Sequence, residues 1–199
     1  MLTAPTPDHV RAGIAGFDAD PRSRLGDESV SLVFRQWPEN DDYHEILVKV
    51  VVLNRLYSTN IYDPYTVAQH ILNLAIDDRL GAGDADLIVD VAAVQFGGRT
   101  RILYSFATKY CAWHRPDLFQ IYDSYVDWLL WEYRRAFQFA QFRRDDLRDY
   151  RKYVDVVQAL SDRFGLHEFS RKEIDKFLWV EGYTEYARSS QQTNPAQQG

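Results

Sequence analysis

Residues 119–131 read FQIYDSYVDWLLW, and the fold turns on the aspartate among them. Residues 119–122 are extended and the run that follows is helical to about residue 141, so Asp123 stands at a helix start. A carboxylate there accepts hydrogen bonds from the free N–H groups of the first turn, and its charge suits the positive end of the helix dipole. The same placement suits a catalytic carboxylate held at the lip of a cleft. This stretch alone leaves both roles open.

Outward from it, nearly every patterned segment has helical spacing. Tyr43, Ile46, Leu47, Val50, Leu53 and Tyr57 form one apolar face, and Asp42 with Glu45 suits a capping box. Asp63 followed by Pro64 opens a second helix with Val67, Ala68, Ile71, Leu72, Ala75 and Ile76 on its apolar side. The stretch at 78–86 is expected to be a loop, with Asp84 capping a helix that carries Leu87, Ile88, Val91 and Val94. Gly97 and Gly98 form a turn, and another helix over roughly 100–114 is stopped by Pro116. Residues 147–164 form a helix closed by Gly165, and Ser170 with Glu173 caps the last one. The fold class is therefore all-α, with about seven or eight helices. The expected organisation is a loosely structured N-terminal arm at 1–25, a single domain at 26–187 and a polar, disordered tail at 188–199.

Composition narrows the function classes. Aromatic residues make up 15% of the 199, a share that serves both a core and stacking platforms for bases. A formal charge of −6 argues against nonspecific coating of nucleic acid, which rests on phosphate contacts. It leaves room for a local basic face, and arginine and lysine do cluster at 99–115 and 134–144. One cysteine, Cys111, allows no internal disulfide and no cysteine cluster site. The histidines at 9, 44, 70, 114 and 167 have no metal-ligand spacing, so no metal and no cofactor is expected. The N-terminus lacks the basic and apolar regions of a signal peptide, and no apolar run approaches a membrane span. A soluble, cytoplasmic, monomeric protein is expected.

Two further segments carry candidate chemistry. At 96–101 a glycine turn brings Gly97, Gly98, Arg99, Thr100 and Arg101 to the start of a helix. Glycines let the main chain approach a phosphate, and N–H groups at a helix start point toward it. Lys109 follows on that helix, where it can meet phosphate, serve as an amine nucleophile or simply be solvated. At 53–60 an apolar helix ends in polar groups. Capping explains Ser58 there, but Asn54 lies a full turn inside.

In this order and spacing the segments resemble the helix-hairpin-helix superfamily of DNA glycosylases, over roughly residues 40–140. That family's early motif L-S-x-Q-x-T-D corresponds to Leu53-Asn54-Arg55-Leu56-Tyr57-Ser58-Thr59, and its P-V-D-T-H-V to Gln120-Ile121-Tyr122-Asp123-Ser124-Tyr125-Val126. The short hairpin and the helix after it look closest to the archaeal 8-oxoguanine branch. The chain departs from the pattern at several places. The hairpin signature L-P-G-V-G-x-x-T-A is reduced to Phe96-Gly97-Gly98-Arg99-Thr100, and the glutamine of the early motif is missing. Arginine, at Arg99 or Arg101, replaces the lysine of bifunctional members, and Lys109 lies about two turns further on.

The resemblance implies a monofunctional glycosylase acting on double-stranded DNA that contains a modified base. The base is flipped out, and Asp123 stabilises the oxocarbenium-like sugar and orients water, leaving an abasic site. Asn54, Tyr57, Ser58 and Trp128 would hold the flipped base, while Gly97, Gly98, Arg99, Thr100, Arg101 and Lys109 would hold DNA. A phage-modified cytosine such as glucosylated hydroxymethylcytosine suits a role in antiviral defence. An oxidised purine in base-excision DNA repair is the alternative, as is a non-catalytic all-α module that binds nucleic acid or protein.

Overall fold

The computed structural model describes residues 2–193, and these are mostly helical, as expected. Ten α-helices occur among the described residues, together with one two-stranded sheet. The chain divides into two compact units where a single domain over 26–187 was expected. One is Pro21–Tyr122; the other combines the segment up to Asp20 with the chain from Asp123 onward.

The Pro21–Tyr122 unit holds α2 (Pro21–Gln36), α3 (Tyr43–Tyr57), α4 (Pro64–Leu74), α5 (Asp77–Ala82), α6 (Leu87–Ala92), β1 (Ala93–Phe96), β2 (Arg99–Ile102) and α7 (Tyr104–His114). Two of its caps are those the sequence predicts: Asp42 accepts from the His44 and Glu45 amides, and Asp63 accepts from Thr66 with Pro64 at the first position. Helix α7 is the centre of the unit. It packs on α2, α3 and α6 and buries every residue from Phe106 to Ala112.

The other unit holds α1 (Pro7–Ala19), α8 (Ser124–Phe137), a 3-10 turn (Arg144–Arg148), α9 (Tyr150–Phe164) and α10 (Arg171–Thr193). Helix α10 packs on both α1 and α8. Gly182 marks the close approach to α8, since a Cβ there would lie 2.7 Å from the Tyr125 carbonyl oxygen. Gly165 ends α9 at φ 68°, and Ser170 exchanges hydrogen bonds with Glu173 at the start of α10.

The structure corrects several expectations. The supposed loose arm is helical: Thr6 accepts from the His9 amide, Pro7 opens α1, and Val10 is fully buried. Residues 78–86 are not one loop, because α5 occupies their first part. Asp84 does not cap α6; its carboxylate accepts from Arg79 and from the Asp86 amide. Helix α8 stops at Phe137, where Gln138 turns left-handed at φ 49°. Helix α10 runs through residues 188–193 of the supposed tail, whose remainder, 194–199, lies outside the described residues.

The largest correction concerns the glycine turn. Gly97 and Gly98 join two antiparallel strands, not two helices, with Phe96 opposite Arg99 and Val94 opposite Arg101. Their φ values of 54° and 82° are those a two-residue hairpin turn of the primed type requires. The helix predicted from about residue 100 therefore begins only at Tyr104.

Candidate functional site

A set of polar groups is buried where α7 holds the extended segment that leads to Asp123. Ser105, Thr108 and Lys109 lie three and four residues apart, so they share one face of the helix. The Tyr122 amide donates to Thr108 Oγ1 at 3.1 Å, and Ser105 Oγ donates to the Tyr122 carbonyl at 3.2 Å. Lys109 Nζ donates to Ser105 Oγ at 2.6 Å and to the Tyr122 carbonyl at 3.4 Å. The Tyr104 ring packs on the Tyr122 ring, with centroids 4.7 Å apart. Both backbone groups of Tyr122 are thus fixed, and Asp123 is the next residue in the chain.

Lys109 is 2% exposed, so it does not serve as a surface phosphate contact. Its amine lies 5.9 Å from the Tyr57 ring centroid, and the same ring packs against Trp113 at 6.2 Å. Tyr57 and Lys109 are therefore brought together. Asn54 is not available to read a base. Its Nδ2 donates to the Ile61 carbonyl, and its Oδ1 accepts from Thr59 Oγ1 and the Ile61 amide. Those bonds hold the loop after α3, where Ser58 and Asn60 both adopt positive φ. Ser58 is the exposed C-terminal cap of α3.

Asp123 and Trp128 belong to the other unit. Asp123 Oδ1 accepts from the Tyr125 amide at 3.0 Å and so caps α8. Trp128 is half-buried, with its ring edge-on to Tyr186 of α10. In this unit the basic cluster at 134–144 is largely occupied. Arg144 pairs with the buried Asp127 at 2.9 Å, Arg135 pairs with Glu132, and Arg134 lies over the Trp131 ring.

On the hairpin, residues 99–101 belong to β2 and not to a helix start, so no helix N-terminus there is offered to a phosphate. What the hairpin offers is side chains. Arg99 and Arg101 are exposed, and with Tyr62, Asp63, Phe96 and Thr100 they line an open groove of about 440 Å³.

A second polar network, which the sequence did not reveal, closes the loop between α2 and α3. Lys49 is fully buried and donates to the carbonyls of Trp37 and Glu39 and to Asn40 Oδ1. Tyr110 donates to the same Oδ1 at 2.6 Å, while Asn40 donates from both nitrogens to Asp77. Burial pushes the Lys49 amine down to about 8. Burial, aided by the Lys49 charge, pushes His114 down to about 3 and keeps it neutral. Burial also raises the Cys111 thiol, which makes it a core residue and not a nucleophile. No group of three His, Cys, Asp or Glu side chains that could hold a metal ion occurs among the described residues, and no helix there is long and apolar enough to cross a membrane.

No solved structure matches the chain. The chain is 39% identical over 145 residues to an uncharacterized protein of Haemophilus influenzae (strain ATCC 51907 / DSM 11121 / KW20 / Rd), a match that covers 72% of this chain and 69% of the relative. Residues 9–118 match the family model HI_0787_N, described as an N-terminal domain, and most of the matched segment lies in the Pro21–Tyr122 unit. The chain belongs to the HI_0787_N family.

Proposed function

We propose that this protein is a DNA glycosylase that removes a modified base from duplex DNA, with Asp123 as the carboxylate at the reaction centre. The observation that carries the reading is the fastening of Tyr122 to α7 by Ser105, Thr108 and the buried Lys109. An ordinary helix cap does not need a buried lysine and two hydroxyl side chains to fix the residue before it. Catalysis by a positioned charge does need such restraint, because an error of about 1 Å loses much of the rate.

In this reading the glycosidic bond stretches and positive charge develops on the sugar. The Asp123 carboxylate stabilises that charge and orients the attacking water. The base leaves with the bonding electrons and gains a proton, and water supplies the new C1′–O bond. A phage-modified cytosine such as glucosylated hydroxymethylcytosine is the substrate we favour, with an oxidised purine as the alternative.

The test is excision from plain duplex, 8-oxoguanine duplex and duplex containing glucosylated hydroxymethylcytosine, read as alkali-labile sites. Asp123→Asn is the decisive variant because Asn caps a helix as well as Asp does, so the fold is kept while the charge is lost. Abasic sites on one substrate, absent with Asp123→Asn, support the reading. A folded wild-type protein that excises nothing overturns it and favours a non-catalytic binding module.

A further inference from the structure

We infer that the outward face of α3 is a dimer surface, on which a second copy of this chain docks antiparallel about a two-fold axis. The inference stands apart from the glycosylase reading, and it replaces the monomer expected from the sequence. Helix α3 is apolar on two opposite sides. Ile46, Val50 and Leu53 are buried in the unit. Val48, Val51 and Val52 lie on the other side with Leu56 at their border, and Val48, Val51 and Leu56 are 38%, 44% and 47% exposed. A helix that is apolar all round is one that is covered all round. Solvation alone gives no reason for valine there, since β-branched side chains lower helix propensity and a long polar side chain would serve better. Five of the seven exposed Leu, Ile and Val side chains among the described residues lie on α3 and on α2, which packs against it; Leu25 and Leu32 are the α2 pair. Apolar surface is thus gathered on two neighbouring helices, where singly scattered residues would need no explanation.

Charge and spacing together name the occupant. Glu45 stands three residues before Val48 and prolongs its stripe at one end, where Asp41 lies just ahead of the Asp42 cap. Arg55 stands four residues after Val51 and prolongs the stripe at the other end. Asp41 and Arg55 are both exposed. One face thus carries acid at its start, apolar side chains at its centre and a base at its end. Such a face complements a second copy that runs antiparallel and repels one that runs parallel. The spacing has the same symmetry, because the midpoint of Val48 and Val51 is also the midpoint of His44 and Arg55. A two-fold axis through that point sets Val48 of each copy against Val51 of the other. It also carries each Arg55 to the first turn of the other α3, beside Asp41, His44 and Glu45. Helix α3 has 15 residues and is about 22 Å long, so the pair makes a small interface and a dissociation constant of about 10 µM is expected.

The experiment is sedimentation equilibrium of the full chain at about 1 to 200 µM, over which the wild type passes from one copy to two. Val51→Glu puts a charge at the centre of the surface twice over, and it raises the dissociation constant at least about 100-fold. Its helical circular dichroism stays at the wild-type value, because Val51 points away from the core. Arg55→Glu sets like charges together at both ends of the pair and raises the constant about tenfold. Asp41→Lys with Glu45→Lys does the same from the other end, by about the same factor. A mixture of those two proteins associates more tightly than either alone, because in the mixed pair each reversed charge meets its opposite. A wild type that stays monomeric overturns the inference and leaves the face to a different protein. A wild-type dimer that Val51→Glu leaves intact overturns it too, since the interface then lies elsewhere. A mixture that associates as weakly as its separate components overturns the antiparallel pairing, on which the choice of a second copy rests.

Discussion

Replacing Asn40 by Ala tests the polar centre of the Pro21–Tyr122 unit. The side chain makes three bonds that alanine cannot: Nδ2 to Asp77, and Oδ1 from Lys49 and from Tyr110. The losses are unequal. Lys49 keeps the Trp37 and Glu39 carbonyls, and Asp77 keeps the Asn40 amide. Tyr110 is fully buried and loses the acceptor of its hydroxyl. A stranded buried hydroxyl costs roughly 1–3 kcal/mol, and each weakened contact to a charged group adds about 1 kcal/mol, so Asn40→Ala should destabilise by roughly 3–5 kcal/mol. That is a large share of a typical total of about 5–15 kcal/mol. Urea unfolding followed by Trp fluorescence measures it. A double-mutant cycle with Tyr110→Phe makes the test sharper. In the wild type, Tyr110→Phe removes a satisfied hydroxyl and costs about 1 kcal/mol; in the Asn40→Ala background it removes an unsatisfied one and costs nothing or stabilises. Equal costs in the two backgrounds, or an Asn40→Ala loss below about 1 kcal/mol, would refute the reasoning.

Three further outcomes are expected. Gly182→Ala gains about 1 kcal/mol of helix propensity, but its Cβ lies 2.7 Å from the Tyr125 carbonyl oxygen; overpacking of about 1–3 kcal/mol wins, and the melting temperature falls. Gly26→Ala, in α2 with nothing within 4 Å, should raise stability by about 0.5–1 kcal/mol, and a fall would show that the space is not open. Lys49, held near 8 in the folded state against 10.5 unfolded, penalises the folded state while protonated. Between those values the unfolded chain binds more protons, so stability relative to Lys49→Met rises with pH across that window, and denaturant curves at its two ends show whether it does.

Much of the helical frame was legible because caps are local chemistry. Asp42, Asp63 and Asp123 each accept from first-turn amides, and Gly165 takes the left-handed conformation that ends α9. Helix α1 was equally legible in principle, since Thr6 followed by Pro7 repeats the cap-and-proline pattern of Asp63 and Pro64. Its apolar face was too thin to register, as Val10 is its only buried residue. The β-hairpin was not legible, because a glycine pair serves a helical turn or a primed hairpin turn, and four-residue strands are too short to show a period. The site divided along the same line. The spacing of Ser105, Thr108 and Lys109 could be read as one helix face. That Lys109 is buried, and that Asn54 is consumed by its own loop, depend on tertiary contacts that no local pattern encodes.

The most direct measurement is mass spectrometry of the small molecules released when the protein is incubated with duplex DNA carrying glucosylated hydroxymethylcytosine, 8-oxoguanine or unmodified bases. The expected result is one free modified base, intact and without sugar-phosphate, released by the wild type and not by a folded Asp123→Asn variant. No free base from a folded wild-type protein, or equal release by Asp123→Asn, would contradict a glycosylase centred on Asp123.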